Sequence, residues 1–592
     1  MVGKLALVAA FMAVHLCSAF VLNPTNNRQE KATGFDWWET SVFYQIYPRS
    51  FKDSDGDGVG DLQGVISKLD HLKDAGIGAT WLSPIMKSPM KDFGYDIEDF
   101  YDIDPIFGTM ADFDELMVKA NALGIKIIMD LVPNHSSDLC QWFKDSVNKV
   151  NGKDDWYIWQ DPSSWDTTLD IPYPPNNWVS VFRGSAWEYN PVRRQYYLHQ
   201  FTKEQPDLNY RNPAVVEEMK KVIAFWLDKG IGGFRIDAIN HLFEIDRVNN
   251  GFPDEPRNEW NDDKDDYGYV DHIYTKDLDE TYWMVYEWRK LFDSYYEKDG
   301  ITRVMMTEAY TDLNKTMLYY GNGTSTGSHM PFNFGLINEI NQDSNANQLE
   351  DLIKRWIYNM PAGKTANWVI GNHDQSRVAT RYGVDRIDGL NMLVLLLPGA
   401  AVTYNGEEIG MVNTDISWED TTDPAACNTN DPINYWKSSR DPERTPFQWD
   451  DSAFAGFSTT TNKTWLPVNP NYKEVNLKLQ KEVPRSHYKI YKHLAELRSQ
   501  EPFLTGRLET YAMYDGIFMI ARKLENYQTY VVIINMRGQS YNVDIPFAGL
   551  PTDLIVAETS IQSNKDISSW VQTHSVDVIP YEALVLKTSP VV

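Results

Sequence analysis

The sequence predicts an α/β fold: a TIM (β/α)8 barrel with a subdomain inserted after its third strand and a C-terminal antiparallel β-sandwich. Two observations support this prediction. About eight strand–helix units follow one another between residues 38 and 500, which is the number that closes a parallel barrel. The units pause over residues 136–212, and from about residue 504 alternating strands replace the helical pattern.

The elements follow from hydrophobic periodicity, with a period near 3.6 residues for helices and of two for strands. Helices are expected over 62–76, 112–124, 215–230 and 487–498, with Gly230 as a left-handed cap. Barrel strands are expected at 41–51, 79–84, 126–132, from 232, at 302–308, 330–334, 367–372 and 400–404, and sandwich strands at 511–522, 529–535, 540–545 and 583–586. The domains would then be the barrel in two parts (36–135 and 213–503), the insertion (136–212) and the sandwich (504–592).

Composition restricts the partners. The formal net charge of −28 disfavours nucleic acid and anionic membranes and is compatible with a neutral small-molecule substrate. Aromatic residues make up 13% of the chain, which suits sugar binding but also suits a large core.

The first 19 residues are typical of a secretory signal peptide. Lys4 precedes an apolar run over 5–16, and small residues at 17–19 form the cleavage site. The run is too short for a membrane span, so we expect a secreted protein with no spanning helix. Cys140 and Cys427 would remain, and a secreted chain permits a disulfide between them without proving one. Sequons at Asn314, Asn322 and Asn462 are candidate glycan sites, whereas the sequon at Asn134 is expected to be buried.

An acidic, glycine-rich loop follows the first strand. Asp53, Asp55, Asp57 and Asp61 alternate with small residues, a spacing that folds oxygen atoms around a hard cation. The loop is not an EF-hand, because Gly64 stands at its twelfth position. A solvated acidic turn is the alternative interpretation.

Charged residues recur where predicted strands end. Arg235 and Asp237 close the strand that begins at Gly232, and burying such a pair is costly unless it has a function; a structural salt bridge is the alternative. Asp130 with Asn134 and His135, Glu308, and His373 with Asp374 end three other strands. In a barrel these ends face one mouth. Zinc chemistry is disfavoured by the lack of cysteine or histidine clusters, and nucleotide chemistry by the lack of a phosphate loop. Paired carboxylates fit glycosidic bond cleavage.

These strand-end segments resemble those of glycoside hydrolase family 13, the α-amylase family, in the same order. The matching segments are Asp130-Leu-Val-Pro-Asn134-His135, Gly233-Phe-Arg235-Ile-Asp237, Thr307-Glu308-Ala309 and Gly371-Asn372-His373-Asp374. The segments 205–209 and 440–449 resemble the subgroup of oligo-1,6-glucosidases and maltases. The overall similarity is greatest to secreted insect maltases (α-glucosidases).

The resemblance implies roles for individual residues. Asp237 matches the nucleophile and Glu308 the general acid/base, which in a retaining mechanism lie about 5–5.5 Å apart. Asp374 matches the carboxylate that binds sugar hydroxyls, and Arg235 would hold Asp237 ionised. The remaining implied contacts are His135 and His373 to sugar hydroxyls, Asp92, Tyr95 and Arg440 around the terminal glucose, and Phe201, Gln205 and Arg444 near the next sugar.

The same resemblance implies the substrate and the metal. Asp92 with Arg440 would block further subsites, which makes the site exo-acting. Ala238, directly after the nucleophile, is small, which favours α-1,4 bonds as in maltose, with sucrose a plausible second substrate. A structural calcium ion would be bound by Asp53, Asp55, Asp57, the Val59 carbonyl and Asp61, and no organic cofactor is expected.

Rival functions share part of this pattern. Transporter heavy chains have a similar fold but need a full transmembrane helix, and a surface receptor role would coexist with catalysis. Transglycosylation and sucrose isomerisation use the same covalent intermediate as hydrolysis, so the motifs fit each of these reactions. Motifs do not set the oligomeric state, which stays open.

Overall fold

A computed structural model describes residues 20–22, 34–459 and 462–590 of the 592-residue chain. The signal peptide predicted over residues 1–19 lies outside the described residues. Within the described part, no helix combines the length and apolarity needed to cross a membrane.

Eight parallel strands form the central barrel. They are β1 (Val42–Ile46), β2 (Ala79–Leu82), β3 (Lys126–Leu131), β4 (Gly233–Ile236), β5 (Val304–Thr307), β6 (Met330–Pro331), β7 (Asn367–Val369) and β8 (Ala400–Tyr404). Their order is β6-β5-β4-β3-β2-β1-β8-β7. The register places Arg235 of β4 beside Asp130 of β3 and Met306 of β5, so the charged side chains of β4 and β3 meet at one level.

In the described sheet, no backbone hydrogen-bond ladder joins β6 to β7. A side chain bridges this seam instead. Asn367 Nδ2 donates to the Pro331 carbonyl at 2.6 Å, and Asn367 Oδ1 accepts from the Asn333 N–H at 2.8 Å. The predicted barrel is therefore confirmed, although most of its strands are shorter than predicted. Residues 47–51, for example, leave β1 and form a 3-10 turn at Pro48–Ser50.

Helices cover the barrel between successive strands. They are α1 (Leu62–Asp74), α2 (Met110–Leu123), α3 (Pro213–Asp228), α4 (Asp279–Asp299), α5 (Leu313–Leu318), α6 (Ala346–Asn359), α7 (Ile387–Leu396) and α8 (His487–Arg498). Shorter helices are Gln141–Asn148, Gly335–Asn338, Val378–Tyr382, Pro424–Cys427, Leu477–Glu482 and Glu501–Leu504. Local chemistry sets their bounds: Asn212 caps α3 ahead of Pro213, and Gly230 after its end has a φ of +89°.

The segment between β3 and α3 forms small sheets of its own. Strands Trp159–Gln160, Trp187–Asn190 and Gln195–Leu198 make an antiparallel sheet, and Ser164–Asp166 pairs with Ile171–Tyr173. Its apolar core also includes Phe252, which belongs to the loop between β4 and α4. The segment between β3 and α3 and the loop between β4 and α4 therefore share one apolar core.

The C-terminal region is an antiparallel sheet with a two-stranded sheet packed on it. Its strands are Arg507–Met513, Ile517–Lys523, Tyr530–Asn535, Tyr541–Val543, Asp553–Thr559, Trp570–Gln572, Val576–Val578 and Ala583–Lys587. The single strand predicted over 511–522 was wrong: the chain turns there, with Tyr514 at φ +56°, and the halves pair as a hairpin. Phe20–Leu22 pairs along the edge strand Arg507–Met513, and a short Met86–Lys87/Asp99–Ile103 pair follows β2.

Candidate active site

A cavity of about 310 Å³ lies at the carboxyl ends of the barrel strands. Most of the residues predicted to form the site line it. These are Asp92, Tyr95, His135, Phe201, Asp237, Ala238, Glu308, His373, Asp374 and Arg440. The other three, Gln205, Arg235 and Arg444, lie behind this lining and contact it. The strand-end residues are therefore brought together at one mouth.

Arg235 at the end of β4 connects three carboxylates. Its Nη1 lies 2.9 Å from Asp130 Oδ1 and 2.5 Å from Asp237 Oδ1, and its Nη2 lies 3.6 Å from Glu308 Oε2. The guanidinium is buried and lies over the Trp81 ring. A buried cation needs such partners, because an unpaired charge would cost several kcal/mol.

The chain turns sharply directly after Asp237. Ala238 has φ +43° and ψ +36°, in the left-handed region that non-glycine residues rarely adopt. This turn aims the Ala238 N–H at Glu308, whose Oε2 accepts it at 2.8 Å. Backbone strain at the end of β4 thus places a hydrogen-bond donor on the neighbouring carboxyl group.

The carboxyl groups of Asp237 and Glu308 are in different electrostatic environments. Burial raises the pKa of Asp237 well above its ordinary value, although the guanidinium of Arg235, at contact distance, lowers it. Burial also raises the pKa of Glu308, and its contact with Arg235 is longer. The shorter ion pair with Arg235 favours the carboxylate form more strongly at Asp237 than at Glu308.

Asp374 lies beside two arginines and a histidine. Arg444 Nη2 lies 2.8 Å and Arg440 Nη1 3.2 Å from its Oδ1, and His373 Nε2 lies 3.5 Å from its Oδ2. Although burial raises the pKa of this carboxyl group, His373 and the two arginines lower it below its ordinary value overall. Asp374 therefore carries a negative charge at neutral pH.

An ion-pair network closes the inner end of the cavity. Arg440 Nη2 lies 3.0 Å from Asp92 Oδ1 and 2.7 Å from Asp423 Oδ1, while its guanidinium covers the Phe182 ring at 4.8 Å. Gln205 Nε2 donates to the other oxygen of Asp92 at 3.2 Å. Asp92 and Asp423 are almost completely buried, so the network forms a buried wall of the cavity.

The predicted histidines are held by aromatic and amide neighbours. Tyr95 stacks on His373 with an interplanar angle of 5°, and the Tyr95 hydroxyl lies 2.6 Å from His373 Nε2. His135 Nε2 lies 3.1 Å from the Tyr95 carbonyl oxygen and 3.1 Å from Gln205 Nε2. Burial lowers the pKa of His135 to about 3, so this ring is neutral.

Phe201 and Arg444 occupy different depths. The Phe201 ring lies 5.1 Å from the His135 ring and lines the cavity. Arg444 is fully buried, and its Nε donates to the His373 carbonyl at 2.7 Å. Arg444 therefore acts on Asp374 from behind the lining.

Several residues of the site had no prediction from the sequence. Asp423 lies in the irregular segment after β8, where no periodicity marks it. Others line the cavity: Val181, Phe182, Asn240, His241, Tyr267, Lys276 and Gln375. Asn240, His241 and Gln375 had a usable signal, since they follow Asp237 or Asp374 in the same strand-end segments. Tyr310 also lines the cavity; its hydroxyl accepts from Asn372 Nδ2 at 2.9 Å and its ring stacks on Phe334.

The acidic loop after β1 brings three carboxylates together. Asp53, Asp55 and Asp61 each offer an oxygen within 4.8 Å of the others. Asp53 accepts the N–H groups of Gly56 and Gly58 at 2.7 and 2.9 Å, which folds the loop around it. Asp57 accepts from the Val59 N–H at 2.7 Å. Hard oxygen donors in a tight loop fit a calcium ion.

The cysteines and sequons lie apart from the cavity lining. Cys140 is buried, Cys427 is exposed, and both are free, so the described chain has no disulfide between them. The side chains of Asn314, Asn322 and Asn462 are exposed, and Asn134 is buried as expected.

An α/β barrel with two buried carboxyl groups beside one arginine, both lining a sugar-sized cavity, is the construction of a glycoside-cleaving enzyme. Residues 45–506 match the family described as alpha amylase, catalytic domain. The chain therefore belongs to the alpha-amylase family, and it is a glycoside hydrolase.

Individual relatives agree with this assignment. Maltase A1 of Drosophila melanogaster is 51% identical over 93% of this chain and 96% of its own length. The salivary alpha-glucosidase of Anopheles gambiae is 47% identical and covers 94% of each chain. The crystal structure of an alpha-glucosyl transfer enzyme superposes with a TM-score of 0.81 at 32% identity, over 94% of this chain and all of the other.

Proposed function

We propose that this chain is an exo-acting α-glucosidase, a maltase that releases the terminal non-reducing glucose from maltose and short α-1,4-linked oligosaccharides, and also cleaves sucrose. The observation that supports exo action is the buried network of Arg440, Asp92 and Asp423 across the inner end of the cavity. A chain end fits against this wall, whereas a continuous polysaccharide would have to pass through it.

The residues predicted to form the site then have defined tasks. Asp92, Arg440 and Asp374 bind the hydroxyls of the terminal glucose, and Asp374 stays ionised because cations surround it. Tyr95, with His373 on one face of its ring, packs against the sugar ring, and His135 binds a hydroxyl group. Gln205 and Arg444 hold these groups in place from behind the lining.

Cleavage proceeds in two displacements. The Asp237 carboxylate attacks the anomeric carbon while Glu308 transfers its proton to the leaving oxygen, so the glycosidic C–O bond breaks as a glucosyl ester forms. Glu308, now ionised, takes a proton from water, which attacks the same carbon and releases Asp237. Two inversions leave glucose in its original α configuration.

Two measurements test this function. Asp237→Asn should lower kcat for glucose release from maltose on the order of 10³-fold or more, because the amide is a poor nucleophile. Asp246→Asn, an exposed aspartate in the same loop, is the matched control and should retain activity. Polarimetry or NMR of the first product should show α-glucose. Near-normal turnover by the Asp237 variant, or β-glucose as first product, would refute the mechanism.

A second reaction, glucosyl transfer, is favoured by one specific observation. The structural neighbour that carries out alpha-glucosyl transfer has the same fold over nearly the whole chain. A sugar hydroxyl that replaces water in the second displacement would give transfer at the same site. Product analysis at rising maltose concentration separates the two reactions, because only transfer produces oligosaccharides.

The proposal also includes a bound calcium ion, glycosylation and secretion. A calcium ion would be held by the loop that contains Asp53, Asp55, Asp57, Val59 and Asp61, and it would supply structural stability there rather than chemistry. Exposed Asn314, Asn322 and Asn462 would carry glycans in a secreted protein. Secretion is supported by the relation to salivary alpha-glucosidases.

A further inference from the structure

Lys276 lines the cavity without an obvious structural task. It is half-buried and shares the lining with Asp237 and Glu308. Within the described chain, its ammonium group makes no hydrogen bond or ion pair. The other cation of the lining, Arg440, is bound by three carboxylates. Lys276 is therefore a cation of the cavity that is available to a ligand.

The backbone around Lys276 is fixed to the ends of β4 and β5. The N–H of Asp277 donates to the Asn240 carbonyl at 2.8 Å, three residues after Asp237. The Asp277 carboxylate accepts from Thr311 Oγ1 at 2.8 Å, three residues after Glu308. On the other side, the N–H of Tyr274 donates to Glu255 at 2.7 Å. The Lys276 side chain thus starts from a defined point beside both carboxylates.

The two ends of the cavity differ in their side chains. Asp92, Asp374 and Arg440 form the inner wall against which the terminal glucose lies. Lys276 comes from the loop before α4, which adjoins the segments that follow Asp237 and Glu308. Burial raises the pKa of Glu308, and the positive charge of Lys276 partly opposes this rise, which agrees with a position near that carboxyl group.

We infer that Lys276 binds the hydroxyl groups of the leaving sugar and so determines which leaving groups the enzyme accepts. An ammonium group carries three donors, and sugar hydroxyls are good acceptors. A flexible side chain can reach the hydroxyls of more than one leaving sugar. This inference rests on the proposed function, since it assigns the leaving-sugar contact of the same site.

The test compares two substrates that share the terminal glucose but differ in the leaving group. The leaving group of maltose is glucose, which has several hydroxyl groups besides the departing oxygen. The leaving group of 4-nitrophenyl α-glucoside is 4-nitrophenol, which has no hydroxyl group besides the departing oxygen. For Lys276→Met, the ratio of kcat/KM for maltose to kcat/KM for the nitrophenyl glucoside should fall about tenfold, the usual effect of a lost hydrogen bond to a charged group. Lys276→Arg should recover part of this ratio, because donors are restored.

Lys315→Met is the matched control. Lys315 is exposed and contacts Asp277 from outside the cavity, so its loss should leave the ratio at the wild-type value. If the ratio in Lys276→Met is unchanged, including the case in which kcat/KM falls equally for both substrates, the role of Lys276 is overturned. The proposed function would still be supported in that case, provided that the wild-type enzyme is active. Wild-type enzyme that releases glucose from neither substrate would overturn both.

Discussion

Arg235 lies among three carboxyl groups at the end of one strand, and its distances to them differ. The short contact to Asp237 favours the ionised form of that group more strongly than the longer contact does at Glu308, while burial raises the pKa of both carboxyl groups. One cation thus acts unequally on two buried carboxyl groups, which suits Asp237 to the role of nucleophile and Glu308 to that of proton donor. The pH dependence of the reaction follows from the proton on Glu308.

Activity should fall on the alkaline side as Glu308 loses its proton. Burial raises the pKa of Glu308, and the protonated form is the active one, so kcat/KM for maltose persists above the ordinary pKa of a glutamic acid and declines as pH rises through the raised value. In Glu308→Gln, kcat/KM for maltose should fall about 10³-fold. With α-glucosyl fluoride, whose leaving group needs little protonation, the fall should be much smaller. Equal losses on both substrates would exclude Glu308 as the general acid.

Asp423 acts on the substrate through Arg440. It is fully buried and accepts from the backbone N–H of Arg440 at 2.7 Å and from its Nη2 at 2.7 Å. Asp423→Asn should lower kcat/KM for maltose about 100-fold, chiefly through KM, because Arg440 loses the partner that orients it. Asp415→Asn, exposed on the same segment, is the control. A kcat effect without a KM effect would contradict the positioning role.

The sequence predicts residues of the site only where a regular element presents them. Asp237, Glu308 and Asp374 follow strands, so the barrel pattern predicted their meeting at one mouth. Asp423 and Lys276 lie on irregular segments, and no period links their positions to the cavity. Tertiary contacts alone, such as that of Asp277 with Asn240, bring these segments to the site.

At the scale of elements, the end of β4 shows how a strand terminus is shaped for chemistry. Ala238 in the left-handed region turns the chain so that its N–H meets Glu308. The alternating pattern predicts strand up to this residue, but the strand ends at Ile236. The alternation of apolar and polar residues indicates which side chains are buried. It does not indicate where an unusual φ angle turns the chain.

Ala238→Val tests the cost and the purpose of this turn. A β-branched side chain is disfavoured at φ +43°, so the free energy of unfolding should fall by about 1–2 kcal/mol. The larger side chain should also lower the ratio of maltose to isomaltose hydrolysis by about tenfold. Ala238→Gly is the control and should remain near wild-type stability, because glycine accepts this conformation. A valine variant as stable as the wild type would show that the turn is not strained.

Helices were predicted more accurately than strands of the C-terminal region. The bounds of α8 agree with the expected 487–498, because Ser486 caps it and its apolar positions repeat regularly. In contrast, one strand was expected over 511–522, whereas residues 507–523 form a hairpin. Both arms are apolar enough to read as one run, and only the Asp515-Gly516 pair marks the turn.

At the scale of the whole molecule, the acidic loop joins parts of the chain that are about four hundred residues apart in sequence. The Asp53 N–H donates to the Phe457 carbonyl at 3.0 Å, Ser458 Oγ donates to Asp53 Oδ2 at 2.5 Å, and the Trp465 N–H donates to the Gly58 carbonyl at 3.0 Å. The spacing of the acidic residues predicted a cation-binding loop, but it did not predict the contacts of this loop with Phe457, Ser458 and Trp465. A local sequence pattern contains no information on which distant segment the loop will contact. A cation bound here would hold the start of the barrel to the segment before α8.

Calcium removal should therefore lower stability without stopping the chemistry. A ligand that binds only the folded state at 100 times its Kd stabilises it by about 2.7 kcal/mol, so chelation with EDTA should lower the melting temperature measured by calorimetry. Asp53→Asn should show a lower melting temperature that no longer responds to calcium, because it weakens the cluster with Asp55 and Asp61. Glu525→Gln, exposed in the C-terminal region, should respond to calcium like the wild type. Equal melting temperatures of the wild type with calcium and with EDTA would contradict calcium binding, and lost kcat at temperatures where the protein stays folded would contradict a purely structural role.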